Sequence, residues 1–416
     1  MNDYIKKWTE SSLILKIIIG LVIGTILGIA VPQWTFIGFP GELFVSALKA
    51  IAPILVFVLV TSAISKAKSG IGSRFKTVII LYLFSTFLAA MVAIICSTIF
   101  PVTIHLTGAS TQAAPGGIGE IMHDIIITAF SNPVELVAQG KYIGILFWSI
   151  VFGIAIKMVA NDTTKDVLTD CADAVTLIVR GLIQFAPIGI MGLVFKSVSE
   201  SGIGIFTQYG QLIALLMGCI AIVAFVTDPI ISAVATRRNP YPLVLTCLKE
   251  SGITAFFSRS SAANIPVNMQ LCEKLGLDKD FYSISIPLGS TINMEGAAVT
   301  ITVMTLAVCH TIGISVPLHV TIILCIIATI GACGASGVAG GSLLLIPMAC
   351  SMFGISSDVS MQAVAVGFII GVVQDSCETA LNSAGDALFS ATAEYHDRMK
   401  NGEPVNYLGE FAKQKN

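Results

Sequence analysis

Asp375, Glu378, Thr379, Asn382 and Asp386 are spaced at +3, +4, +7 and +11 from the first. At 3.6 residues per turn this puts all five on one face of a helix. The residues between and before them are mostly apolar or small, so a single polar stripe runs down an otherwise greasy segment. On insertion scales an acid at the bilayer centre costs about 2.5 to 3.5 kcal/mol. Three acids this close together therefore need compensating partners. Carboxylate and amide oxygens suit an ammonium group and hard cations. The plainer alternative, a helix end emerging into water, fits Asp386 best because it lies nearest the polar tail.

A second cluster, Gly289-Ser290-Thr291-Ile292-Asn293-Met294-Glu295-Gly296, sits inside the preceding long apolar stretch. Two glycines bracket an amide and an acid where an unbroken apolar helix would be expected. The pattern predicts local unwinding that frees backbone carbonyls for a cation. A packing notch of small residues is the other reading, and Glu295 argues against it.

The chain that must position these groups is not built for water. Of its 416 residues 55% are hydrophobic and 12% charged, against about a quarter charged in soluble domains. Its mean hydropathy is +0.87. Apolar runs of about 20 residues can each cross a hydrocarbon core. Spans are predicted at 13–31, 43–65, 77–100, 142–159, 175–198 and 211–235. Lys6 and Lys7, then Lys66, Lys68, Arg74 and Lys76, then Arg237 and Arg238 fall on one side of this pattern, which makes that side cytoplasmic. The segment 101–120 carries no Lys or Arg, as an external loop should. Asn161–Asp173, with Asp162, Asp166, Asp170 and Asp173 against Lys165, is expected as a loop.

Beyond Arg238 the texture changes. Two apolar stretches are interrupted by small polar residues, one at 258–264 before Ile265-Pro266 and one at 331–342 before Leu343–Pro347. Each is followed by a long apolar helix with embedded polar groups. This weak duplication of interrupted segment and polar helix points to a binding site near the membrane midplane. Irregular backbone at that depth persists only when buried in protein or lining a wet cavity.

Together, Ser260-Ser261, Asn293-Met294-Glu295-Gly296, Gly337-Val338-Ala339-Gly340-Gly341 and the Asp375, Thr379, Asn382, Asp386 set resemble the dicarboxylate/amino acid:cation symporters, the glutamate transporter family. The stretches 257–269 and 374–382 are most similar to its bacterial branch that carries serine and threonine with sodium. The resemblance covers nearly the whole chain. It implies an all-α polytopic membrane protein of eight transmembrane helices and two re-entrant helical hairpins in inverted repeats, assembled as a homotrimer with an elevator-like moving part. Residues 1–240 would form mainly scaffold and trimerisation spans, with span three also contributing to the transport core. Residues 241–395 would form that core and 396–416 a cytoplasmic tail. The hairpin tips would be Ser260/Ser261 and Val338/Ala339.

Carried over by motif, the resemblance implies that Asp375 holds the substrate ammonium, while Asn382 and the backbone at Ser261 hold its carboxylate, with Ser260 and Thr379 nearby. One sodium site would use Asp386 with carbonyls of Gly289, Asn293 and Asn382. A second would use carbonyls near Thr291, Ala332, Cys333 and Ala335. A third would draw on Tyr82, Ser85, Thr86, Asn293 and Glu295. Two positions near this third site depart from the family pattern, Glu295 for Asp and Ala297 for Thr. The decisive departure is Glu378, where glutamate carriers have an arginine. A guanidinium there would pair with an acidic side chain. A glutamate repels one, which favours a small neutral substrate whose hydroxyl donates to Glu378.

The expected activity is sodium-coupled import of serine and threonine across a bacterial cytoplasmic membrane, with both termini cytoplasmic. Sodium is co-transported cargo, and membrane lipid surrounds the protein. Other small neutral amino acids, or proton coupling through Glu378 or Glu295, remain as alternatives, and an ion channel is a rival of another class. Other classes find little support in the sequence. The five histidines lack metal-ligand spacing, the glycine-rich run lacks the lysine of a phosphate loop, and no basic tract suggests nucleic acid. An enzyme is not expected, since Ser260 and Ser261 have no His or Lys base nearby in sequence. The ten cysteines read as small buried thiols. Arg259 is either partner to an acid of the last helix or a cytoplasm-facing anchor, and Asp228-Pro229 is read as a helix break or interfacial acid in preference to a ligand.

Overall fold

A computed structural model describes residues 13–66, 73–106, 123, 126–335 and 340–415. The structure is helical throughout, with no strand among the described residues. In chain order the elements are α1 (Leu13–Ala30), α2 (Phe39–Lys66), α3 (Ser73–Ile99), α4 (Pro133–Gln139), α5 (Tyr142–Val159), α6 (Asp162–Gln184), α7 (Ala186–Ser201) and α8 (Ile205–Thr236). They continue with α9 (241–258), α10 (Ser261–Lys274), α11 (Lys279–Ile292), α12 (Glu295–Ile312), α13 (Leu318–Ala332), α14 (Ser342–Ser351) and α15 (Ser357–Lys400). Among the described residues six helices or continuous helical pairs are long and apolar enough to cross a membrane, and a seventh span results if α6 and α7 count as one.

Two groups of helices pack side by side. Helix α1 lies along α7, while α2 is flanked by α5, α6 and α7. The other group surrounds α12 and α15, which touch each other and α3 and are further covered by α8, α9, α10 and α13. Burial follows this division. The span formed by α11 and α12 is 94% buried in its apolar window, whereas that of α5 is 33% buried. The exposed faces of α1 and α5 carry Leu15, Ile18, Val22, Ile26, Phe152 and Ile154, as expected where hydrocarbon is the solvent. The two polar helices thus occupy the place where lipid does not reach.

Two expectations need correction. The span predicted at 175–198 is not one helix, because α6 and α7 meet at a bend of 54° around Phe185, with Pro187 in the first turn of α7. The acidic stretch 161–173 is not a loop. Asn161 caps α6, its side chain accepting from the Thr164 N–H at 2.9 Å, and Asp162, Asp166, Asp170 and Asp173 form the exposed face of an amphipathic helix. Helix α2 continues through Pro53. Of the orientation charges, Lys6, Lys7 and Lys68 lie outside the described residues.

Candidate functional site

The site is assembled from one long helix and the breaks of its neighbours. Helix α15 runs unbroken for 44 residues, opened by the Ser356 cap on the Val359 N–H. Its polar stripe faces inward, with Asp375, Glu378, Thr379 and Asn382 all at most 5% exposed and Asp386 fully buried. The alternative that Asp386 emerges into water is therefore wrong. Opposite the stripe, α11 ends at Ile292 and α12 starts at Glu295, leaving Asn293 and Met294 outside helical geometry. This is the unwinding predicted between Gly289 and Gly296. A nearby turn joins α9 to α10, where Arg259 adopts a left-handed φ of 53° and Ser260 is extended. The half-buried Ser260 caps α10 by accepting from the Ala263 N–H, and Ser261 opens that helix in a buried position.

Asp375 is held from both interrupted segments. Arg259 donates from Nε to Asp375 Oδ2 at 2.6 Å, and the Gly340 N–H donates to Oδ1 at 3.1 Å. Arg259 also donates to the Gly371 carbonyl, so it is the partner of an acid of the last helix and not a cytoplasmic anchor. Thr379 spends its hydroxyl on the Asp375 carbonyl. The Gly337, Val338 and Ala339 part of the second tip lies outside the described residues.

Glu378 sits among neutral donors. Its Oε2 accepts from Thr300 at 2.7 Å, Ser342 at 2.8 Å and Gln374 at 2.5 Å. Gln374 also donates to Thr300. Such a set stabilises a buried carboxylate, and the spacing of a single sequence gives no sign of it.

Asp386 Oδ1 accepts from Asn293 Nδ2 at 3.2 Å, while its Oδ2 is buried with no hydrogen-bond donor. The Asn293 amide also donates to the Asn382 carbonyl. Asn382 Oδ1 accepts from the Gly296 N–H at 2.7 Å and its Nδ2 lies 3.5 Å from Met294 Sδ, so both ends of the amide touch the helix break. Gly289 is required by this closeness, since a Cβ there would fall 2.8 Å from both Asp386 Oδ1 and Tyr82 Oη. Its carbonyl accepts the Asn293 N–H and keeps a second lone pair. The donor set is all oxygen, and the orphaned Oδ2 fits a hard cation.

Tyr82, Ser85 and Thr86 of α3 reach the same break. The Tyr82 hydroxyl lies 3.1 Å from the Asp386 carbonyl and 2.8 Å from Ser390 Oγ. Ser85 donates to Asn293 Oδ1, and Thr86 accepts from the Met294 N–H. Glu295 is fully buried with both oxygens free of donors. The end of α13 meets the end of α11 where Cys333 Sγ approaches the Ile292 carbonyl at 3.7 Å. Ala332 and Ala335 are buried there, whereas Thr291 is exposed and bonds back to the Leu288 carbonyl. Asp228 is neither interfacial nor at a break in the helix. It is 2% exposed, directly after a π-turn at Val223–Thr227 within a continuous α8.

Residues 13–395 match the family model described as the sodium:dicarboxylate symporter family. A serine/threonine transporter SstT of Bifidobacterium adolescentis is 56% identical over 399 residues, covering 96% of this chain and 93% of that one. Proteins of the same name are similar from Streptococcus thermophilus, at 55% over 396 residues covering 95% and 98%, and from Enterococcus faecalis, at 53% over 403 residues covering 97% and 96%. The match runs through the broken helix, the Arg259 turn and the polar stripe alike, and the chain belongs to the sodium:dicarboxylate symporter family of multi-pass membrane proteins.

Proposed function

We propose that this protein is a sodium-coupled symporter that imports serine and threonine, with sodium as co-transported cargo and no enzymatic step. The observation that carries the choice of substrate is Glu378. It is a buried carboxylate that accepts from the neutral donors Thr300, Ser342 and Gln374, at the position where the resemblance places arginine in carriers of acidic substrates. An acidic side chain would meet repulsion there, and a hydroxyl can join the set as one more donor. The names of the similar transporters agree with that preference.

In this reading Asp375 receives the substrate ammonium, which must compete with the Arg259 guanidinium for Oδ2. The substrate carboxylate would be met by Asn382 and the backbone at Ser261, with Ser260 and Thr379 beside them. Because Asp375 bonds to both interrupted segments, a ligand on it can bias how those segments close. Asp386, Asn293, Asn382 and Gly289 would hold one sodium. The ends of α11 and α13, with Thr291, Ala332, Cys333 and Ala335, would hold another. Tyr82, Ser85, Thr86, Asn293 and Glu295 would take a third. Sodium entry then supplies about 2.3 kcal/mol per charge per 100 mV.

The architecture we propose has eight transmembrane helices and two re-entrant hairpins, α9–α10 and α13–α14, in inverted repeats. The core at 241–395 is joined by α3, and the packing of α8 on α3, α12 and α15 supports adding that helix as well. Helices α1, α2 and α5 to α7 would form the scaffold, whose apolar outer faces meet lipid and the neighbours in a homotrimer. The setting is a bacterial cytoplasmic membrane with both termini inside.

A competition panel tests the substrate. Uptake of labelled serine by proteoliposomes should be suppressed by excess unlabelled serine and threonine and left nearly unchanged by aspartate, glutamate and succinate. Suppression by the acidic compounds at similar concentrations would overturn the choice.

A further inference from the structure

Asp228, Glu295 and Asp386 are three buried acids in membrane-spanning helices, at 2%, 0% and 0% exposure. Among the described residues no lysine, arginine or histidine forms an ion pair with any of them. The other deeply buried acids are provided for. Asp375 has Arg259, Glu394 has Arg398, and Glu378 has three neutral donors. Asp228 and Ser85 both lie within hydrogen-bonding reach of Glu295. Yet Asp228 Oδ1 and both Glu295 oxygens are buried without a donor in hydrogen-bond geometry. Two unshielded carboxylates in contact at low dielectric repel strongly. Together they are stable when a cation lies between or beside them, or when they share a proton.

The local fold makes the meeting deliberate. The π-turn at Val223–Thr227 adds one residue to a turn of α8, so the inward face passes from Val223 and Ala224 to Asp228. Ser232, one turn further, bonds to Thr392 of α15 at 3.0 Å and fixes this face against the core. Across the gap, Gly385 lets α15 approach, because a Cβ there would fall 2.7 Å from Glu295 Oε2.

We propose that Asp228 is a direct ligand of the sodium ion held at Glu295, supplying a second carboxylate to a site that the family motifs furnish from α3 and the α11–α12 break alone. Asp228 and Glu295 provide the charge, and Ser85 Oγ with Asn293 Oδ1 provide neutral oxygens. Two carboxylates around one monovalent ion make the site strongly attractive to sodium and unable to remain empty without repulsion. This rests on the sodium-coupled reading above and adds a residue from α8 to it.

The test uses the full chain in nanodiscs without amino acid, following thermal unfolding as sodium chloride replaces choline chloride at constant ionic strength. Wild type is expected to gain stability with sodium. Absence of any gain would overturn the sodium reading itself. Asp228→Asn should require about 10-fold more sodium or beyond for the same gain, and should unfold at a higher temperature than wild type in choline alone, because one of two repelling charges is gone. An unchanged sodium midpoint with a lower melting temperature in choline would make Asp228 merely structural. An unchanged midpoint accompanied by loss of pH dependence would make the pair a proton site. Either outcome overturns the proposal. Should Asp228→Asn fail to fold, Asp228→Glu provides the second measurement, in which a changed ratio of lithium to sodium midpoints is expected and an unchanged ratio contradicts direct ligation.

Discussion

Arg259 Nε lies 2.6 Å from Asp375 Oδ2, pairing residues 116 apart in sequence across the turn between α9 and α10. With the two side chains 11% and 3% exposed, this is a largely buried ion pair, and in the proposed binding mode the substrate ammonium needs the same oxygen. On the proposed role of Asp375, Arg259 would compete with the substrate while also supporting the residue that binds it.

Arg259→Gln should therefore tighten serine binding. If even a modest ion pair of about 1 kcal/mol is removed from the competition, affinity rises about 5-fold. Isothermal titration of the purified protein with serine in saturating sodium checks this. Weaker binding would show that the guanidinium assists the substrate instead.

Asp375→Asn keeps the shape and removes the charge. Charge-assisted hydrogen bonds contribute about 1.5 to 3 kcal/mol, so serine uptake should fall by about 10- to 100-fold or more. The variant should still elute as a folded particle in size-exclusion chromatography. Near-normal uptake by such a particle would remove the ammonium role from Asp375.

Glu378→Arg places a guanidinium beside Thr300, Ser342 and Gln374. Preference should shift from serine toward aspartate, read as the ratio of their inhibition constants in uptake assays. An unchanged ratio would locate the side-chain pocket elsewhere.

Gly289→Ala drives a methyl group to within 2.8 Å of Asp386 Oδ1 and Tyr82 Oη. Overpacking of this kind costs about 1 to 3 kcal/mol. The sodium concentration for half-maximal uptake should rise, with serine KM in saturating sodium much less affected. A serine effect with no sodium effect would contradict the placing of a cation at Asp386.

Much of this arrangement could be read from the residues in order. The stripe on α15, the unwinding at Asn293 and Met294, and the turn at Arg259 and Ser260 are local patterns, and local patterns survive in sequence. The acids of 162–173 are legible too, since their spacing of three and four is helical, although their charge by itself reads as loop. The bend at Phe185 arises where an amphipathic helix hands over to an apolar one, a change of face that hydropathy alone averages away. The donors around Glu378 come from α12, α14 and the preceding turn of α15, and the meeting of Asp228 with Glu295 joins α8 to α12. Such pairings are set by packing between distant helices, which no spacing in one chain records.

Coupling is the centre of the account, and an imposed ion gradient tests it most directly. Proteoliposomes loaded with choline chloride and diluted into sodium chloride at equal pH should accumulate labelled serine above its external concentration, and accumulation should collapse when a sodium ionophore is added. Equal accumulation from choline medium driven by an inward proton gradient would contradict it.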